Sequence, residues 1–91
     1  MLKFFFALQR FDAAAEKVRT LTKKPTDEEL LSLYGLFKQG SVGDNETSKP
    51  GFLDMKGKYK WEAWMKLKGK SQDEAKEEYI KLVESLLEKY S

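Results

Sequence analysis

The chain of 91 residues contains no cysteine and no histidine. Without cysteine there is no disulfide and no thiolate chemistry, and the composition suits a reducing compartment. Without histidine the usual general base near neutral pH and the commonest metal ligand are both missing. Carboxylates alone would have to hold a metal, and no EF-hand spacing is present. These absences weigh against an enzyme and against a metal cofactor. Long apolar runs are missing too. The longest, Phe4 to Leu8, is five residues, too short to span a bilayer. It is also shorter than a signal-peptide core and is not followed by a small-residue cleavage site. A net charge of +2 does not by itself indicate a nucleic-acid domain.

What is present is charge of both signs on helical periodicity. Charged residues make up 35% of the chain, interspersed as on well-solvated helices. Ninety-one residues suffice for one domain with a modest core. Phe11, Ala14, Ala15, Val18 and Leu21 recur at steps of three and four, predicting a first helix that starts near residue 4 or 11 and ends at Leu21. Pro25 pushes the preceding residue out of the helical region. Thr26 and Glu29 have the spacing of a capping box, which opens a second helix with Leu30, Leu33, Tyr34 and Phe37 as its apolar face. Gly40 and Gly43 mark its end. Residues 43–54 are rich in turn formers and predict a long connection, functional or laid over the surface as cover.

A third helix is expected from Met55 to Lys68, with Asp54 as N-cap and Gly69 as its stop. Ser71 and Glu74 suggest a second capping box. The fourth helix then carries Ala75, Tyr79, Leu82, Val83, Leu86, Leu87 and Tyr90. No strand pattern or repeat occurs. Four amphipathic helices cannot bury their stripes singly, so the expected fold is an all-α four-helix bundle.

The residues suited to ligand chemistry cluster between Tyr34 and Tyr79. The run PGFLDMKGKYKWEAWMKLKGKS carries six lysines around Trp61 and Trp64. Lys56 and Lys60, four apart, share a helix face about 6 Å apart along the axis. Two ammonium groups so placed suit a phosphate between them; a merely solvated face is the other reading. Tyr34, Phe37 and Lys38 set aromatic surface beside a cation, suited to a stacked base and a phosphate. Equally, Tyr34 and Tyr79 fit as core tyrosines, and at least one tryptophan is expected in the core.

The order YGLFKQ, then GSVGDNETSKPG, then PGFLDMKGKYKW resembles the acyl-CoA-binding protein family, without a gap from Phe11 to about Tyr90. The resemblance implies an up-down-down-up bundle, in which the long second connection lets helices two and three run in the same direction. It also implies a non-enzymatic, cytoplasmic carrier of long-chain acyl-CoA esters. Tyr34 would stack near the adenine, and Lys38 and Lys60 would meet the phosphates, with Lys56 one turn before Lys60. Arg19 and Tyr79 match a basic and a tyrosine position of the family, and Ala14 and Ala15 lie beside the acyl groove. Phe37 replaces a usual second tyrosine, losing a hydroxyl and keeping the ring. Tyr59 stands where a small residue is common. Residues 1–10 read as an N-terminal extension and 11–91 as the binding domain. A helical protein–protein module, or less readily a nucleic-acid binder, remains open. The expected partner is the acyl-CoA ligand and not nucleic acid. On the extension, Phe4, Leu8 and Phe11 form one stripe continuous with the core. Phe5 and Phe6 then point elsewhere, suited to weak self-association or a lipid contact through the three phenylalanines.

Overall fold

A computed structural model describes the backbone of residues 2–90 and the side chains of residues 8–90. Four helices form: α1 Leu2–Lys17, α2 Asp27–Ser41, α3 Met55–Met65 and α4 Gln72–Tyr90, with a 3₁₀ turn Val18–Thr20 after α1. No strand occurs among the described residues.

Local chemistry sets most boundaries. The Thr26 hydroxyl accepts from Glu29 N–H at 3.2 Å, and Glu29 accepts from Thr26 N–H at 2.8 Å, so the capping box is complete. Asp54 caps α3 by accepting from Gly57 N–H at 3.0 Å. At α4 the box is half formed. Ser71 accepts from Glu74 N–H, but the Glu74 carboxylate takes the Ser71 hydroxyl. α3 stops three residues short of the expected Lys68. Leu67 and Lys68 donate three residues back, to Trp64 and Met65, which tightens the last turn. α1 starts earlier than expected and gives way after Lys17, where the Thr20 hydroxyl donates to Lys17 O.

Directions follow from cross-helix contacts. Arg10 pairs with Glu77, and Thr22 donates to Tyr90 O, so α1 and α4 run parallel. Gln39 donates to Lys70 O, and Lys89 donates to Glu29, so α2 and α4 are antiparallel. Lys60 lies over Tyr34, and Lys38 over Trp64, so α2 and α3 run together. The bundle is up-down-down-up. Neighbours in space follow the order α3, α2, α4, α1, giving a plate of 41 × 34 × 15 Å.

That order explains where the simple stripe fails. α2 lies between α3 and α4, so its buried arc is wide: Leu33, Leu36, Gln39 and Gly40, with Gly35 against α3. Leu36 replaces Leu30 and Phe37 in the core; both are more than one-third exposed. α4 serves α1 and α2 together and buries Lys76 and Ile80 beside Ala75, Tyr79, Val83 and Leu86, leaving Leu82, Leu87 and Tyr90 half-buried. At Gly35 the α2–α3 approach is so close that a Cβ would stand 2.7 Å from the Ala63 carbonyl oxygen. Only glycine permits that contact.

Leu8 is 40% exposed, contrary to the stripe expected with Phe11. Phe11 is buried level with Lys76 and Tyr79, whereas Leu8, one turn earlier, takes no part in the core cluster. The expectations for the side chains of Phe4, Phe5 and Phe6 lie outside the described residues.

The connection 42–54 is fastened down. Gly43, at φ +100°, turns the chain back after α2, and its carbonyl accepts from Trp64 Nε1 at 2.8 Å. Asp44 accepts from Gly69 N–H at 2.9 Å and from Gln39 Nε2 at 2.8 Å, and the Gly69 amide first, then Gln39, holds its carboxyl below the usual range. Buried Asn45 donates to Trp61 O, and Trp61 Nε1 donates to Thr47 O. The loop therefore ties the C-terminal end of α2 to α3.

At the opposite end of α2, Glu29 collects Tyr90 Oη at 2.6 Å and Lys89 Nζ at 3.0 Å besides its own cap bond. The Tyr90 hydroxyl first, then the Thr26 amide and Lys89, hold the carboxyl at about 2 rather than 4.5. A lowered folded-state value stabilises above the unfolded value and is lost as pH falls through the folded one. Acid unfolding monitored by circular dichroism should therefore show the full stability difference between wild type and Glu29→Gln above about 4.5, shrinking as pH falls toward about 2. Parallel curves at every pH would remove Glu29 as the source.

Candidate functional site

A cleft of about 630 Å³ opens between the N-terminal halves of α2 and α3. Lys24, Asp27, Leu30, Leu31, Tyr34, Lys56, Tyr59 and Lys60 line it. Parallel packing of α2 on α3 creates this arrangement, since both helices present their first turns to the same end. Lys56 and Lys60, four apart on α3, line the cleft together. Lys60 Nζ stands 5.1 Å from the centre of the Tyr34 ring.

A second hollow, of about 360 Å³, continues the first and shares Lys24 and Leu30 with it. Arg19, Lys23, Val18, Leu21 and Leu33 line it. The two hollows form one surface with an apolar floor and a cationic rim. Arg19, Lys23, Lys24, Lys56 and Lys60 face a single acid, Asp27. Such a surface suits a ligand with anionic groups and an apolar portion.

Other candidates lie elsewhere. Phe37, 38% exposed, stacks on Phe11 at 5.4 Å and tilts against Tyr79 at 5.7 Å. Tyr79 is buried, and burial raises its phenol pKa while the charge of Arg19 works against the rise. Phe37 and Tyr79 thus belong to one aromatic cluster within reach of the Arg19 field. Lys38 turns from Tyr34 and lies 4.9 Å over the Trp64 ring. Ala15 is half-buried against the core. Ala14 is buried between α1 and α4, beside a small cavity lined by Ile80 and Val83.

Reasoning from the sequence did not assign Lys24, Leu30 or Leu31 to a site. Lys24 is the residue that Pro25 keeps out of the helical region. The signal for it is weak: the turn at Pro25, which brings it over the start of α2, is set by tertiary packing.

Residues 8–83 match the family model described as acyl CoA binding protein. The chain is 64% identical over 83 residues to the acyl-CoA-binding protein homolog of Drosophila melanogaster, covering 91% of this chain and 96% of that one. It is 55% identical over 83 residues to the acyl-CoA-binding protein of Saccharomyces cerevisiae, with 91% and 95% covered. The crystal structure of Oryza sativa acyl-CoA-binding protein 2 superposes with a TM-score of 0.94 at 40% identity, over 98% of this chain and 97% of that one. The solution structure of the yeast acyl coenzyme A binding protein gives 0.72 at 56% identity, over 89% and 94%. With the family model covering most of its length and close relatives matched nearly end to end, the chain belongs to the acyl-CoA-binding protein family.

Proposed function

We propose that this protein binds and carries long-chain fatty acyl-CoA esters in the cytoplasm, without catalysing a reaction on them. The observation that carries the reading is the two-part cleft, where cationic residues, apolar residues and the rings of Tyr34 and Tyr59 come together. A CoA ester has three phosphates, a purine and an alkyl chain. Lys56 and Lys60, with Lys24 beside them, suit the phosphates. Tyr34 suits the adenine and Leu30 with Leu31 the apolar portion. Burying the alkyl chain is worth about 0.8 kcal/mol per CH₂. Family membership and the names of the relatives support the ligand class. The lack of histidine and cysteine supports carriage rather than turnover, and the lack of cysteine suits a reducing cytoplasm. Among the described residues no helix is long and apolar enough to cross a membrane.

Lys60 lies over one face of the Tyr34 ring, so a base stacked on that ring and a phosphate paired with the ammonium would meet at one place. Lys38, held over Trp64, reaches a phosphate by leaving that ring. Arg19, Phe37 and Tyr79 would border the ligand from the α1 side, with Ala15, and Ala14 behind it, supporting that wall. We place these roles in residues 11–91, with residues 1–10 as an extension of α1.

Calorimetric titration of palmitoyl-CoA into Tyr34 variants tests the stacking role. Tyr34→Phe should keep most of the affinity, and Tyr34→Ala should lose about 1–3 kcal/mol. Equal losses would make the hydroxyl, not the ring, the binding element. A short oligonucleotide that bound as tightly as palmitoyl-CoA would replace this reading with nucleic-acid binding.

A further inference from the structure

The turn before α3 carries an unusual surface. Asp54 N–H donates to Gly51 O at 3.0 Å and closes a tight turn with Phe52 and Leu53 at its centre. Phe52 is 79% exposed and Leu53 86%. Met55 and, one helical turn on, Tyr59 are half-exposed and extend the strip along α3. Single exposed apolar side chains are ordinary on a protein surface, whereas a contiguous group marks an interaction site. The turn is also fixed. The Asp54 carboxylate caps α3, and the loop behind is tied to Trp61 through Asn45 and Thr47. The two apolar tips therefore stand on a firm base.

Charge selects the occupant. Between positions 49 and 60 the chain has Lys49, Lys56, Lys58 and Lys60 against one acid, Asp54, whose carboxylate is engaged at the helix start. Lys49 is partly matched by Glu62 at 3.8 Å. A second copy would bring the same cations to the same patch and be repelled. A nucleic acid would satisfy the lysines but offer little to Phe52 and Leu53. An anionic bilayer presents negative headgroups above an apolar layer, matching the collar of lysines and the two tips.

We propose that the Phe52–Leu53 turn docks this protein on anionic membrane surfaces, its two side chains entering the interface while Lys56 and Lys58 meet the headgroups. The cleft shares Lys56 and Tyr59 with this patch, so docking sets its mouth beside the bilayer. Acyl-CoA would then load or leave there; this consequence rests on the proposed function, whereas docking itself does not.

The test is co-sedimentation of the full chain with vesicles of phosphatidylcholine containing phosphatidylserine, and with phosphatidylcholine alone. Binding should require phosphatidylserine and weaken at high salt. Phe52→Ala with Leu53→Ala should lower vesicle affinity by about tenfold or more, since two large apolar side chains leave the interface. The same double variant should keep its helical content and its affinity for palmitoyl-CoA in solution. Three results would overturn the proposal: wild type that ignores anionic vesicles, a double variant that binds them undiminished, or Phe52- and Leu53-dependent dimers without vesicle binding. Parallel loss of vesicle and palmitoyl-CoA binding would also overturn it, by assigning the turn to the ligand site. Loss of vesicle binding alone supports docking even if wild type itself fails to bind palmitoyl-CoA.

Discussion

Lys60→Ala is expected to weaken palmitoyl-CoA binding by about 1.5–3 kcal/mol, the range for a hydrogen bond to a charged group. That is roughly a 10- to 150-fold rise in Kd. Lys60 lines the cleft with Lys56 and already sits over the Tyr34 ring, so phosphate and base would meet at one place. Fold stability should change little. The cation–π contact that the substitution removes is worth only about 0.5–1 kcal/mol at a partly exposed site. Calorimetry for affinity and urea unfolding for stability separate the two effects. Wild-type affinity in this variant would remove Lys60 from the site.

Leu86→Ala should show the reverse pattern. Leu86 is almost wholly buried in the core cluster. Truncation leaves a cavity there and should cost about 2–5 kcal/mol. Domains of this size have about 5–15 kcal/mol in total, so the urea midpoint should fall steeply. Leu86 lines neither part of the cleft, so the fraction that stays folded should bind palmitoyl-CoA with near wild-type affinity. A loss below about 1 kcal/mol would mean that the C-terminal half of α4 is loosely packed.

Features encoded within four residues were legible before the structure. The Thr26–Glu29 box, the Asp54 cap and the turn at Gly43 are local hydrogen-bond and backbone effects, and they formed, whereas α2 runs through Gly40 to Ser41 and α3 ends at Met65, before Gly69. Legibility fell where two elements share a residue. Leu36 and Ile80 were omitted because α2 and α4 each serve two neighbours, which a single stripe does not express. Gln39 and Asn45 lie on no apolar stripe, yet both are buried because the loop folds back and supplies their partners. The paired lysines of the cleft were legible as an i, i+4 spacing on one helix. Lys24, Leu30 and Leu31 were not, since their place depends on how α2 meets α3. Lys38 shares a helical turn with Tyr34, but Trp64 from α3 draws its ammonium to another ring.

The most direct measurement is calorimetric comparison of palmitoyl-CoA with free palmitate on the wild-type chain. The cationic rim and Tyr34 are assigned to the nucleotide half of the ligand, so palmitoyl-CoA should bind much more tightly, by about 1.5 kcal/mol or more for each charged contact that palmitate lacks. Equal affinities would contradict the account and make the cleft a general lipid site whose lysines recognise no nucleotide.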